Sequence, residues 1–253
     1  MNILLFKLTM MPMVIGFITL VSRKWGNKVG GVIGSMPWVA GPILVFFIVE
    51  QGRDFGIQAV PGILTGIVSL VSFCYTYAFL SKRWQWRVTV LLSYLSFILT
   101  ALLLDFLHPP LLLIYGIAIG SIILALRYFP VPNETEKVSH LARRLKYDIP
   151  FRMLVATLFV LFITGIAKLL GPAWSGILTP FPIITSILAM FTHYLQGSKA
   201  AIIVLRGIMI GLVGFTTFLF LQAYLLQEFS ILISFAIAFV VNALINFVAI
   251  KVW

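Results

Sequence analysis

GGVIGSMPWVAGP, residues 30–42, and SGILTPFPIITSI, residues 175–187, decide how this chain reads. Each places a proline and several small residues in the middle of an apolar span. Proline removes a backbone donor, and hydrocarbon offers no water to satisfy the carbonyl it frees. A fixed offset of 145 residues relates the two stretches. It pairs Gly26 with Gly171, Gly31 with Gly176, Pro37 with Pro182, and Gln51-Gly52 with Gln196-Gly197. Farther on it pairs Gly62 with Gly207 and Gly66 with Gly211. From Phe17 to Ala78 the offset gives 16 identities in 62 positions, where about five or six would arise by chance in so apolar a chain. The match weakens beyond Ala78.

The composition sets the class. Of 253 residues, 61% are hydrophobic and only 10% charged, against about 25% charged in a soluble domain. Several apolar runs reach the roughly 20 residues that cross a bilayer. The net charge of +11 is not a nucleic-acid signal, because the basic residues sit in short gaps between apolar spans. Cys74 is the single cysteine, so no intrachain disulfide and no cysteine metal site is implied. Residues 3–21 lack the basic lead and cleavage pattern of a signal peptide and read as a permanent span.

Nine spans are expected, at about 3–21, 28–49, 55–80, 88–107, 110–128, 150–169, 172–194, 200–225 and 229–250. Fourteen Lys and Arg residues fall on one side and two, Arg53 and Lys168, on the other. This puts the N-terminus outside and the C-terminus in the cytoplasm of a bacterial inner membrane. The first span then runs inward and its copy, the sixth, runs outward. The expected fold is all-α and integral to the membrane, a 4+1+4 inverted repeat with proline-broken helices. Its units are 1–107, a linking span and basic loop at 108–149, and 150–253. The loop FPVPNETEKVSHLARRLKYDI, residues 129–149, is either a charged tether or a surface helix over 133–147 that meets anionic lipid.

Mirrored discontinuous helices are the sequence mark of a transporter binding site. Pro37 and Pro182, with hydroxyls from Ser35, Thr179, Thr185 and Ser186, are the expected solute-binding set; a packed proline kink is the plainer alternative. Arg206 lies inside the eighth span, where a charge is costly and marks a site or snorkels to headgroups. Lys7 and Arg152 read as anchors near span ends. Gly31, Gly176, Gly62, Gly66, Gly207 and Gly211 allow close helix approach or hinging. Gly116 with Gly120 is a similar pair that would serve a homodimer. Asn242 and Asn246 share a helix face and suit hydrogen bonding between helices. Neither a catalytic motif nor a cofactor or metal signature is present.

The run GILTPFPIITSILAMFTHYLQGSKAAIIVLRGIMIGLVGF, residues 176–215, resembles the small four-span bacterial membrane proteins of the GlpM family. Gly176, Phe181, Pro182, His193, Tyr194, Gly197, Arg206 and Gly207 carry the resemblance. It implies two such units fused through the fifth span. The first copy departs from the pattern, with Ile48 and Pro61 in place of His193 and Arg206. The functional expectation is movement of a small solute, anionic or lipid-linked, through a site between the halves. The alternatives are a non-transporting scaffold of an envelope-polymer or lipid-synthesis complex, and a membrane enzyme acting on a lipid headgroup.

Overall fold

The computed structural model describes residues 5, 7–10, 12, 13, 16, 36–130 and 148–252. Among them every regular element is a helix: α1 (Ala40–Gln51), α2 (Arg53–Leu80), α3 (Trp86–Leu107), α4 (Leu111–Arg127), α5 (Asp148–Leu178), α6 (Ile183–Gln196), α7 (Ser198–Glu228) and α8 (Ile231–Val252). Helices α2, α3 and α7, with Met153–Leu178 of α5 and Ile231–Ala249 of α8, are long and apolar enough to cross a membrane. Helices α1, α4 and α6 are shorter and also apolar. These are the helices of an all-α, multi-pass membrane protein. Much of the first expected span, residues 28–35 of the second, and the loop 133–147 lie outside the described residues.

Burial sorts the helices into two layers. The apolar windows of α2 and α7 are 72% and 78% buried, and the two pack against each other. Those of α3 and α8 are only 28% and 22% buried. Helix α3 lies along α2, α8 lies along α7, and α4 touches both central helices. The outward faces of the flanking helices carry exposed Leu91, Leu95, Leu99, Phe106, Leu232, Leu244 and Phe247. Apolar surface on that scale calls for hydrocarbon around it.

The closest helix crossing is made by glycine. Gly62 and Gly66 on α2 meet the last turns of α5 so tightly that a Cβ at Gly62 would strike the carbonyl of Ala173. One at Gly176 would strike the carbonyl of Ala59. Gly207 and Gly211 are likewise buried on α7. Gly116 and Gly120 differ: a Cβ at either would meet open space. Asn242 and Asn246 are buried against Gly214 of α7, and Asn246 Nδ2 donates to Asn242 Oδ1 at 3.0 Å, within α8. Their bond therefore lies along one helix, not between two. The links from α8 to α7 come from Ser234, which donates to the Leu225 carbonyl at 3.0 Å, and from Gln222, which donates to that of Ser234 at 3.3 Å.

Lys7 is not a surface anchor. It is buried, 2.6 Å from a carboxylate oxygen of Glu50 and 2.7 Å from the hydroxyl of Thr164. Its ammonium also lies 4.9 Å from the ring centre of Phe46. A buried ammonium needs such partners because desolvation is otherwise uncompensated.

Candidate functional site

Two interruptions organise the site. Helix α5 bends at Gly171, which takes φ 72° and ψ 173°, and resumes with Pro172. Proline suits that position because the first helical N–H has no partner to lose. Ser175 donates its hydroxyl across the bend to the carbonyl of Ala167 at 3.2 Å. The helix stops at Leu178, Thr179 to Pro182 form an irregular link, and α6 begins at Ile183. Pro180 and Pro182 supply no N–H to continue the ladder. The expected seventh span is therefore two short helical pieces with a break between them.

The irregular stretch Met36–Val39, just before α1, has the same backbone bonding. Trp38 N donates to Met36 O at 2.7 Å, as Ile183 N donates to Phe181 O at 2.7 Å. Gly41 N donates to Pro37 O at 3.0 Å, as Ser186 N donates to Pro182 O at 2.8 Å. Each helix then ends alike. Gly52 (φ 98°) donates to Ile48 O at 3.1 Å, and Gly197 (φ 90°) donates to His193 O at 3.0 Å. Only glycine takes such a φ without steric cost. Every one of these pairs is separated by the same 145 residues.

A cavity of about 80 Å³ lies where these two irregular stretches meet. Its walls include Met36 and Phe181, Val39 and Ile184, Ala40 and Thr185, and Leu70 and Phe215, each pair again 145 residues apart. Phe159 of α5 and Ile208 and Leu212 of α7 complete the apolar side. On the measure in which a water needs about 10–15 Å³, there is room for several waters or one small solute. The starts of α1 and α6 both border the space, and helix N-termini favour acceptor or anionic groups.

The expected residues divide. Thr179 and Thr185 line the cavity. The Thr179 hydroxyl already donates to Ser175 O at 2.8 Å. Ser186 instead shares a 2.6 Å hydrogen bond with the hydroxyl of Tyr94. Pro182 immediately precedes α6, whereas Pro37 borders a separate apolar cavity of about 350 Å³, together with Phe218, Phe235 and Phe239. Arg206 is half-buried on α7 and does not line the central cavity. Ser35 and Gly31 lie outside the described residues. His193 is placed by Tyr77, whose hydroxyl lies 3.3 Å from Nδ1.

Compared with protein families, with curated proteins and with solved structures, the chain matches none. The site must be read from its own geometry.

Sequence reasoning missed the aromatic wall. Tyr94 stacks on Phe181 at 5.4 Å with the rings 13° from parallel, and Phe97 meets the same ring edge-on at 5.2 Å. Phe159 stacks against it at 5.9 Å. The sequence carried little signal for it, because Tyr94 and Phe97 lie beyond Ala78, where the 145-residue match weakens.

Proposed function

We propose that this chain is a carrier of a small solute in the bacterial inner membrane, built from two inverted four-span units around a linking span. The observation that carries the proposal is the central cavity, whose walls repeat at one sequence offset from both halves. Two equivalent segments can border one cavity in this way when a pseudo-two-fold axis runs through it. If the axis lies in the membrane plane, the halves are inverted, which is the geometry of alternating access. The charge bias that sets the N-terminus outside and the C-terminus inside agrees with this. The GlpM-like run fits the same plan, one unit per half.

The solute is small and carries an acceptor or a negative charge. The volume of about 80 Å³ limits its size. Two helix starts, with the hydroxyl of Thr185, supply the polar contact. Arg206 acts outside the cavity, on the route to it or at the headgroups. The largely apolar lining gives some weight to a scaffold without transport, and one experiment separates the two. Proteoliposomes holding the chain are screened for uptake of small labelled anions and neutral metabolites. A carrier takes up at least one solute above empty vesicles, and Thr185→Phe, which fills the cavity, abolishes that uptake while the protein stays inserted. No uptake of any solute, or uptake that Thr185→Phe leaves intact, defeats the reading.

A further inference from the structure

A second cavity, of about 440 Å³, lies between α2, α3 and α4, away from the two breaks. It is lined by Ser72, Tyr75, Thr100, Ser121, Ala125 and Tyr128. Tyr128 is 64% exposed, so the space is a groove open to the membrane-facing surface and not an internal void. The serines make room without asking for new partners. Ser121 donates to the Ala118 carbonyl at 2.8 Å, and Ser72 shares its hydrogen bond with Ser96. Tyrosines stand at the rim, where Tyr75 donates to the carbonyl of Tyr128 at 3.5 Å. Arg127, exposed at the last turn of α4, adds a positive charge beside Tyr128.

The other half shows what such a groove holds. The 145-residue offset relates Ser72 to Thr217 and Tyr75 to Phe220. There, nearer the start of α4, Tyr115 fills the place: its ring stacks on Phe220 at 4.1 Å and its hydroxyl lies 3.2 Å from that of Thr217. At its other end α4 presents Ser121 and Ala125 instead, so the matching position has no plug from that helix.

We propose that this groove binds one chain of an anionic phospholipid, with the tyrosine hydroxyls at its ester level and the phosphate beside Arg127. The lining, with Val68, Val71 and Leu124 beside the serines, suits a flexible hydrocarbon chain. The hydroxyls of Ser72, Ser121 and Tyr75 are already bonded, which suits methylenes. The polar and basic groups gather at the rim, which suits a headgroup. This site does not depend on transport.

The test uses the full chain in phosphatidylcholine nanodiscs doped with phosphatidylglycerol that carries a photoactivatable diazirine on one chain. After irradiation, adducts are expected to concentrate on Tyr75, Thr100 and Tyr128, and to saturate as the probe fraction rises. Adducts on outward-facing Leu99 and Phe106 should rise linearly. Ser121→Tyr, which imitates the Tyr115 plug, should cut groove labelling by about fivefold or more, a difference of about 1 kcal/mol in occupancy. Leu99→Tyr should change nothing. Arg127→Gln should remove the preference for a phosphatidylglycerol probe over a phosphatidylcholine one. Labelling that is uniform over the outer faces, non-saturating in the groove, or unmoved by Ser121→Tyr overturns the proposal. The saturation measurement uses the unaltered chain, so a variant that fails to fold does not decide the outcome.

Discussion

Tyr94 and Ser186 share a 2.6 Å hydrogen bond that ties α3 to the first turn of α6, directly beside the second break. The same tyrosine ring stacks on Phe181 within that break. One side chain thus holds a proline-interrupted segment by both its polar tip and its apolar face. Tyr94→Phe keeps the stack and removes the bond. It should lower unfolding stability in detergent by about 0.6 kcal/mol, the average for hydrogen bonds measured inside membrane proteins. Tyr94→Ala removes both and should cost about 2–4 kcal/mol, because a large aromatic contact is lost. Equal effects for the two variants would show that the stack contributes nothing.

The two kinds of glycine should respond oppositely to alanine. At Gly62 or Gly176 a methyl group meets backbone oxygen, which cannot swing aside. Gly62→Ala should destabilise the bundle by about 1–3 kcal/mol, as overpacking does. At Gly116 and Gly120 the same change meets open space. There alanine should be neutral or should stabilise by up to about 1 kcal/mol through its helix propensity. If α4 pairs with a second copy of the chain, Gly120→Ile should weaken self-association in crosslinking without altering the monomer's melting temperature.

The Lys7–Glu50 pair predicts a non-additive cycle. Glu50→Gln leaves the buried Lys7 with the Thr164 hydroxyl and the Phe46 ring. The loss should be about 1–3 kcal/mol, below the 3–5 typical of a fully buried pair because the Glu50 side chain is 24% exposed. Lys7→Met with Glu50→Gln should recover part of it. Denaturation of the two single variants and the double variant measures the coupling, and strict additivity would mean that the pair contributes nothing.

Topology is open to cysteine labelling. The native thiol, Cys74, is buried, so the unaltered chain should react slowly with membrane-impermeant maleimides. In a Cys74→Ala background, Arg53→Cys should label from outside intact cells. Lys82→Cys should label only after the membrane is opened. Tags at the two chain ends should lie on opposite faces. Finding both ends on the same face would break the inverted arrangement.

Much of this architecture follows from local rules that a linear sequence displays. Apolar length dictates helices, and a proline with glycines dictates where they stop. A glycine with positive φ marks the turns at Gly52 and Gly197, so these turns, the break at Pro182 and the start of a helix just after Pro37 were legible from the sequence. Side-chain partnerships were not. Helices surrounded by hydrocarbon are apolar on every face, so they lack the amphipathic stripe that tells which residues point inward. At 3.6 residues per turn, a small rotation moves a residue from lipid to core. That rotation, set only by how the helices pack, buried Lys7 against Glu50, brought Tyr94 to Phe181, kept Arg206 off the cavity, and left α4 plugging one groove with Tyr115 while opening the other at Ser121.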